Sequence, residues 1–293
     1  MKKNFKKRGL VWCGGEQKEI KWLLKDKYKG KATNNFFRDI KRLEKGEPLD
    51  YVIGFTVFLG CKIDLSEKSL IPRQETEFWI QKAIKYILTY SSLSGCFVCG
   101  VKREIKILDI FAGSGCIGVA ISRHVKKAKV VFTDKNKKCL EQIKINCKLN
   151  GVSKKRYKII QSDVFEGLNP PSPRLRRTKY DFIFANPPYI AKTRIDKVQK
   201  SVLKFEPKSA LFGGKDGLFY IRKFLKDAKK YLNKGGVIFM EFDSPQKKEI
   251  EEILTRQNFS KKNFGGQEKY KYSNYEFHRD QYGRWRWVMV EYE

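Results

Sequence analysis

The sequence predicts an α/β fold in which a parallel sheet carries helices on both faces. From Ile105 onward, apolar runs of strand length alternate with helix-like segments, and a glycine-rich turn follows the first run. The chain has 293 residues, of which 41% are hydrophobic. A chain of that size buries a large core without disulfide or metal support. Ligands of such sheets sit beyond the carboxyl ends of the strands.

Each element of the larger part follows from its residue pattern. The first strand is Ile105–Ile110, and the turn after it opens a helix over residues 117–125. The strand 129–133 precedes a helix in which Cys139, Ile143 and Cys147 recur every four residues on one face. Further elements are predicted as strands 157–160, Tyr180–Ala185 and 237–242, a helix over 218–232, and a strand Trp285–Tyr292 added antiparallel at the sheet edge.

The part before the sheet has a different pattern. Residues 1–46 are polar, with apolar positions spaced as on short amphipathic helices, and predict a small helical domain. Residues 50–65 are β-branched and aromatic, with Gly54 and Gly60 as bends, so 47–70 is expected to be a β-hairpin linker. The remaining residues, 71–293, form the larger domain.

The charge is strongly positive. Lys and Arg number 63 against 32 Asp and Glu, a formal net charge of +31. Such a field favours anionic partners, nucleic acid or ribonucleoprotein first. The alternative is that the lysines, which form no single cluster, only solvate the surface. No segment has the roughly 20 apolar residues of a membrane span, and no secretory signal is evident, so a cytoplasmic protein without a membrane partner is expected.

The cysteines and histidines do not predict a metal site. Seven cysteines are scattered along the chain, and Cys96 and Cys99 are the only CxxC pair. A structural zinc site needs four ligands, and the two histidines, His124 and His278, stand alone. We therefore expect reduced thiols, with Cys96 and Cys99 in an ordinary loop.

The glycine-rich turn predicts a nucleoside site. Residues 113–118 read GSGCIG, which is a GxGxxG between a strand and a helix, and Asp134 ends the next strand. Glycines let the backbone approach a ligand, and an acidic residue there binds ribose hydroxyls. This arrangement serves NAD and other adenosine ligands equally. Asp109, just before the turn, favours a cofactor with an ammonium group, which S-adenosyl-L-methionine has.

The run Asn186-Pro187-Pro188-Tyr189 follows the strand Tyr180–Ala185. Methylation of an amide or an aromatic amine requires a site that orients the NH2 group and accepts its hydrogen bonds. Asn186 offers a side-chain carbonyl and Pro187 a backbone carbonyl, while Tyr189 offers a ring face. A rigid Asn-Pro turn is the structural alternative. Together with Asp109, the glycines and Asp134, the run indicates a methyl-transfer site.

The chain resembles the HemK/PrmC family of protein-glutamine methyltransferases, which modify the Gly-Gly-Gln glutamine of peptide-chain release factors. The resemblance runs from about Glu44 to the end. The motifs that carry it are GEPLDYVIG, LIPRQETE, ILDIFAGSGCIGVAI, ANPPYI, FEPKSALFGGKDGL, the Met240-Glu241 stretch with Gln246, and RDQYGRWR.

The resemblance implies a class I, Rossmann-like methyltransferase with a seven-stranded sheet, preceded by a small helical domain that contacts the protein substrate. It implies that Asn186, Pro187, Pro188 and Tyr189 hold the glutamine, and that Arg73 and Glu75 help to close the site. An ion pair that supports the linker is the alternative for these two. The implied cofactor-binding residues are Asp109, Phe111, Ala112, Gly113, Ser114 and Gly115 at the turn, Asp134 at the ribose, Asp163 and Val164 at the adenine, and Asn186.

The sequence departs from the family at two of these positions. Phe111 stands where the family commonly has the first glycine of the turn, which predicts a bulkier loop. Val164 stands where a larger residue stacks on adenine. The helical amino-terminal part is also shorter than in the family.

The expected reaction is methyl transfer from S-adenosyl-L-methionine to the amide nitrogen of the Gly-Gly-Gln glutamine in a class I release factor, by a monomer. One alternative is the same fold acting on a ribosomal-protein glutamine or on an adenine amine in RNA or DNA. Another is a protein that binds RNA or the ribosome without catalysis.

Overall fold

The computed structural model describes residues 14–93, 104–168, 178–258 and 272–292. Within these ranges, a seven-stranded sheet has the order β5-β4-β3-β6-β7-β9-β8, and the first five of these strands are parallel. The predicted parallel sheet is therefore confirmed. Its strands are β3 (Ile105–Ile110), β4 (Ala128–Asp134), β5 (Tyr157–Gln161), β6 (Tyr180–Ala185), β7 (Leu232–Glu241), β8 (Tyr272–Arg279) and β9 (Trp285–Tyr292).

Helices cover both faces of this sheet. The predicted helices after the first two strands are present, and Cys139, Ile143 and Cys147 are buried as their spacing predicts. Single turns of 3-10 helix occur at Lys154–Arg156, Glu166–Leu168, Lys229–Tyr231 and Ser244–Gln246, with a longer one at Lys192–Lys197. The α-helices are α4 (Gln74–Leu93), α5 (Cys116–His124), α6 (Lys137–Leu149), α7 (Lys200–Phe205), α8 (Lys208–Leu211), α9 (Phe219–Ala228) and α10 (Lys247–Asn258).

Within the described residues, three helices precede the hairpin: α1 (Gly14–Asp26), α2 (Asn34–Glu44) and α3 (Leu49–Ile53). The apolar faces of these three helices meet in one cluster. Its buried members are Leu23, Leu24, Phe36, Ile40 and Val52. Thr33 caps the amino end of helix α2, and its hydroxyl accepts a hydrogen bond from the Phe36 N–H at 3.3 Å.

Residues 50–53 were predicted as strand, and this is wrong. They belong to helix α3, which starts after Pro48 and ends at Gly54, a residue with φ 98°. Proline favours a helix start and glycine a left-handed end, so local capping overrides the β-branched composition. The hairpin itself is present one residue later, as β1 (Phe55–Phe58) and β2 (Cys61–Asp64).

The hairpin is joined to helix α6 by side-chain amides. Asn146 Oδ1 accepts from the Asp64 N–H at 2.7 Å, and Asn146 Nδ2 donates to the Asp64 carbonyl at 3.1 Å. Asn150 makes the same pair with Lys62, at 3.1 and 2.8 Å. Four residues of helix and two of strand both advance by about 6 to 7 Å, so two amides match alternate residues of β2. They satisfy the backbone groups that this edge strand would otherwise expose.

Helix α4 was not predicted, although its pattern is visible in the sequence. Trp79, Ile80, Ala83, Ile84 and Ile87 recur at intervals of one, three and four residues, and all are buried. The helix directly follows the IPR residues. None of the helices in the described ranges is both long and apolar enough to cross a bilayer.

The prediction for the end of the sheet is partly wrong. Strand β9 runs antiparallel to β7, as expected, but it lies inside the sheet, between β7 and β8. The edge strand is β8, whose alternation of aromatic and polar residues is typical of a strand with one solvated face. The sequence did not predict β8 because the polar residues of this segment break the apolar run that is typical of a buried strand.

Candidate active site

A cleft opens at the carboxyl ends of β3, β4 and β6, and its volume of about 910 Å³ includes the solvent at its mouth. This is the position that a parallel sheet provides for ligands. Asn136 caps helix α6 at one side of the cleft, and Tyr220 of α9 lines another. The cleft brings together most of the residues predicted for a cofactor, namely Phe111, Ala112, Gly113, Ser114, Asp134, Asp163, Val164 and Asn186.

Two predicted motif residues are structural supports rather than cleft walls. Gly115 has φ 76° and starts helix α5. Gly118 lies in that helix against the sheet, where a Cβ would be 2.3 Å from Phe132 Cε1 and 2.9 Å from Val130 Cγ1. The last glycine of the GxGxxG therefore allows α5 to pack closely on β4.

Asp109 also lies behind the turn. Its carboxylate is 1% exposed, its Oδ2 accepts the Gly118 N–H at 2.9 Å, and its Oδ1 has no hydrogen-bond partner among the described residues. Burial raises the pKa of Asp109 to about 7, and the charge of Asp134 acts in the same direction. Asp109 holds the start of helix α5 from below the cleft.

This pKa predicts how the Asp109→Asn variant behaves. The pKa of Asp109 is near 4 in the unfolded state and near 7 in the folded state. Because the folded state binds this proton more tightly, the wild-type protein loses stability as the pH rises from about 4 to about 7. The variant lacks this ionisation. We measure the free energy of unfolding of both proteins with urea at pH 5 and pH 8. The value for the variant minus that for the wild type is expected to be higher at pH 8 than at pH 5 by a few kcal/mol. An equal difference at both pH values would contradict the buried ionisation.

Asp134 is held in place by the turn that it faces. Its Oδ2 accepts the Gly113 N–H at 3.0 Å, and its Oδ1 accepts the Asn136 N–H at 2.8 Å. Burial raises the pKa of Asp134, whereas these backbone hydrogen bonds lower it. Each carboxylate oxygen has a second lone pair, so Asp134 is able to accept from a ribose diol as well.

Both departures from the family pattern have left-handed backbone conformations. Phe111 has φ 60° and Val164 has φ 57°. A left-handed conformation costs an L-residue about 1 to 2 kcal/mol, which is why glycine is preferred there. The Phe111 ring packs edge-on to Tyr220, at 5.9 Å between ring centroids, and near Phe224 at 6.3 Å. These ring contacts compensate part of the strain at position 111.

A matched pair of variants tests this strain. Phe111→Ala and Phe111→Gly both lose the ring, but only glycine relaxes φ 60°. We expect Phe111→Gly to be more stable than Phe111→Ala by about 1 kcal/mol in urea unfolding. At an ordinary strand or helix position the order is reversed. Alanine being the more stable would show that the turn is not held in the left-handed region.

A second cavity, open to solvent, adjoins the first; its volume of about 1220 Å³ includes the solvent at its mouth. The two share walls formed by Leu70, Arg73, Asn186 and Ala210. Pro187 and Tyr189 line the second cavity, whereas Pro188 lines the first. The Asn-Pro-Pro-Tyr loop therefore forms the partition between the two cavities, and Asn186 faces both.

The FEPKSALFGGKDGL motif supports this loop from behind. A Cβ at Gly213 would lie 2.4 Å from the Pro188 carbonyl oxygen, and one at Gly217 would lie 2.2 Å from the Tyr189 carbonyl oxygen. Gln246 Nε2 donates to the same Tyr189 oxygen at 2.9 Å. The glycines of the motif permit a backbone-to-backbone contact that fixes the loop.

The IPRQETE motif contains two residues that were predicted to help close the site, Arg73 and Glu75, and one that was not predicted. Arg73 forms an ion pair with the buried Glu206 at 2.6 Å and lines both cavities. Glu75 is half-buried and does not line either cavity. The residue that the sequence analysis missed is Thr76, which is 2% exposed, lines the cleft and lies 3.5 Å from Asn186 Nδ2.

No group of three or more His, Cys, Asp or Glu side chains is arranged to hold a metal ion within the described ranges. His124 Nε2 lies 2.9 Å from the Leu59 carbonyl oxygen, and His278 stacks on Trp287 at 3.9 Å. Cys96 and Cys99 lie outside the described residues.

Comparisons with known proteins give the family. A family model described as "Conserved hypothetical protein 95" matches residues 98–223. The release factor glutamine methyltransferase of Thermodesulfovibrio yellowstonii is 33% identical over 75% of this chain and 72% of its own length. That of Rhodopirellula baltica is 34% identical, over 76% of this chain and 70% of its own. The chain belongs to the release factor glutamine methyltransferase family. The resemblance drawn from the motifs is confirmed.

The solved structure of the hMettl16 catalytic domain in complex with a MAT2A 3'UTR hairpin is also similar. Its TM-score is 0.51 at 17% identity, covering 80% of this chain and 76% of that one. This likeness shows the fold alone. With the sheet order, it confirms the predicted class I, Rossmann-like methyltransferase fold.

As a member of the release factor glutamine methyltransferase family, the chain is an S-adenosyl-L-methionine-dependent methyltransferase. The cleft fits this cofactor. The turn residues Ala112, Gly113 and Ser114 line it, and Asp134 offers lone pairs at the expected end of the next strand.

Proposed function

We propose that this methyltransferase transfers the methyl group of S-adenosyl-L-methionine to the side-chain amide nitrogen of the glutamine in the Gly-Gly-Gln motif of a class I release factor. The observation that carries the proposal is the position of Asn186. It lies at the junction of the cofactor cleft and a second cavity, on a loop suited to a planar amide. The names of the relatives support the same substrate.

The main task of the protein in this reaction is to position the amide nitrogen against the methyl group. S-adenosyl-L-methionine supplies an electrophilic methyl group when bound. The amide nitrogen is a poor nucleophile because its lone pair is delocalised. In the proposed site, the Asn186 carbonyl and the Pro187 backbone carbonyl accept the two N–H groups, which orients the nitrogen. The nitrogen becomes acidic as the new bond forms, so no strong base is required beforehand.

The cofactor residues are assigned on the same basis. We assign Phe111, Ala112, Gly113 and Ser114 to the methionine part, Asp134 to the ribose, and Asp163 and Val164 to the adenine. Lys223 lies 3.1 Å from Asp163 Oδ1 and neutralises part of its charge. Asp109 and Gly115 contribute from behind the turn. Tyr189, on the far side of the partition, is assigned to the substrate.

The test is methyl transfer to a purified class I release factor, with the same factor carrying Gly-Gly-Gln glutamine→Ala as the control substrate. Labelled methyl from S-adenosyl-L-methionine is expected on the first protein alone. Label on neither, with the cofactor bound, would contradict the proposal. Incorporation into ribosomes or RNA that resists protease but not nuclease would then indicate a nucleic-acid substrate.

Other expectations from the sequence stay predictions. They are that residues 1–46 form a substrate-recognition domain, that 47–70 link it to a methyltransferase domain spanning 71–293, that the chain acts as a cytoplasmic monomer, and that its net charge of +31 brings it close to ribosomal RNA. Salt dependence of ribosome co-sedimentation measures the last of these.

A further inference from the structure

A buried carboxylate lies beneath the Asn-Pro-Pro-Tyr loop and has no part in the proposed chemistry. Glu241, at the end of β7, is 1% exposed. Its Oε2 accepts hydrogen bonds from Thr76 Oγ1 and Trp79 Nε1, both at 2.7 Å, and its Oε1 accepts one from the Tyr189 hydroxyl at 2.9 Å. Burial raises the pKa of Glu241, while these hydrogen bonds and the charge of Arg286 lower it. Two of these donors lie on helix α4 and the third lies on the Asn-Pro-Pro-Tyr loop, so this buried carboxylate holds the helix and the loop together.

The Thr76 hydroxyl connects this carboxylate to the loop. A hydroxyl has one proton to donate, and here that proton points to Glu241. The lone pairs of Thr76 Oγ1 consequently face Asn186, whose Nδ2 lies 3.5 Å away. An oxygen that can only accept selects the NH2 end of the Asn186 carboxamide. The Asn186 carbonyl is then the end left for a ligand.

We infer that Glu241, through Thr76, sets the orientation of the Asn186 carboxamide so that its carbonyl oxygen is presented to the substrate. Thr76 and Glu241 are positioning residues, since neither is assigned a contact with the reacting atoms. The consequence for turnover rests on the proposed function, because a reversed carboxamide would present an NH2 group to the substrate NH2 group. The orientation itself depends only on the hydrogen bonds.

The second oxygen of Glu241 acts on the other end of the loop. Tyr189 donates its hydroxyl to Oε1, while its backbone carbonyl is held by Gln246. Thus one carboxylate holds both Asn186, through Thr76, and Tyr189 directly. In Glu241→Gln, a single oxygen cannot serve both sides: if it accepts from Thr76 and Trp79, the new NH2 faces the Tyr189 hydroxyl.

Two substitutions at Thr76 separate this role from simple packing. Thr76→Val keeps the shape and removes the hydroxyl, whereas Thr76→Ser keeps the hydroxyl and removes a methyl group. We expect Thr76→Val to lower kcat for the release factor by about tenfold, the effect of one lost hydrogen bond. Thr76→Ser is expected to retain at least about a third of kcat. The Kd for S-adenosyl-L-methionine should change less than about twofold in both.

Nuclear magnetic resonance of the full chain gives a readout that needs no substrate. The side-chain NH2 signals of Asn186 are assigned by their disappearance in Asn186→Ala. They are expected to shift in Thr76→Val and Glu241→Gln, and to stay near their wild-type positions in Thr76→Ser. Asn186 signals unchanged in Thr76→Val would overturn the inference. A parallel loss of kcat and cofactor affinity in that variant would also overturn it, since Thr76 would then act as a cofactor contact.

The two readouts distinguish this inference from the proposed function. If the wild-type protein does not methylate the release factor but the Asn186 signals respond as expected, the proposed substrate is wrong and the orientation stands. If methylation proceeds and Thr76→Val has wild-type kcat and wild-type Asn186 signals, the proposed function stands and this inference is wrong.

Discussion

Replacement of Asn186 by alanine is expected to abolish methyl transfer and to leave cofactor binding largely intact. Asn186 lies at the partition between the two cavities, where its carbonyl is the acceptor assigned to the substrate amide. Loss of a positioning contact at the reacting nitrogen is expected to lower kcat by at least about a hundredfold. Calorimetric titration with S-adenosyl-L-methionine checks the second half of the expectation, because the turn and Asp134 are unchanged.

Asn274→Ala is the matched control. Asn274 is exposed on the edge strand β8, so the same change of side chain is made at a site without an assigned role. Its activity should equal that of the wild type. Retained activity in Asn186→Ala would remove the amide-binding role from this residue. A loss of cofactor affinity as large as the loss of kcat would assign Asn186 to the cofactor instead.

Substitution of Gly217 by alanine is expected to displace the Asn-Pro-Pro-Tyr loop, although Gly217 itself lines neither cavity. A Cβ at this position would lie 2.2 Å from the Tyr189 carbonyl oxygen and 2.4 Å from Gln246 Nε2, and φ is +80°. Either the Tyr189 carbonyl or the glycine segment has to move. We expect a loss of about 2 to 4 kcal/mol in unfolding free energy and at least about a tenfold fall in kcat from the displaced loop.

The control for this variant is Gly235→Ala. Gly235 has a similar φ of +73° but nothing within 4 Å of its Cβ position, so alanine adds backbone strain without a collision. It is expected to cost about 1 kcal/mol in unfolding free energy and to keep normal kcat. Equal behaviour of the two variants would mean that the contact with Tyr189 does not constrain the loop.

The sequence predicts the parallel sheet and its ligand edge well, because both depend on local patterns. Strands such as Ile105–Ile110 and Tyr180–Ala185 are predominantly apolar, and the structure has the bounds that the sequence predicts. The strand β8 and the helical residues 50–53 were missed or misread, because solvation of one face and the capping residues Pro48 and Gly54 decide those segments.

The candidate site also contains residues that could be predicted from the sequence and residues that could not. The predicted cofactor residues that line the cleft follow from motif position, since each ends a strand or belongs to the turn after it. The roles of Thr76 and Glu241 do not, because they depend on contacts across 165 positions of chain. Asp109 shows the converse: its position next to the glycines suggested a ligand contact, but its carboxylate faces the helix N-terminus behind the turn. Direction of a side chain is a three-dimensional property that spacing alone does not give.

The hydrogen bonds from the Asn146 and Asn150 side chains to the hairpin have a consequence for local unfolding. Asn146 lies on helix α6 and Asn150 caps its carboxyl end, while the Asn136 N–H at its amino end donates to Asp134. The hairpin backbone and the ribose side of the cleft are therefore attached to the same helix. Opening the hairpin removes the partners of the buried Asn146 side chain and of the half-buried Asn150 side chain. We therefore expect the backbone hydrogen exchange of the hairpin to be coupled to that of the helix. The segment that joins the amino-terminal helices to the sheet therefore belongs to the same cooperative unfolding unit as the nucleoside end of the cleft.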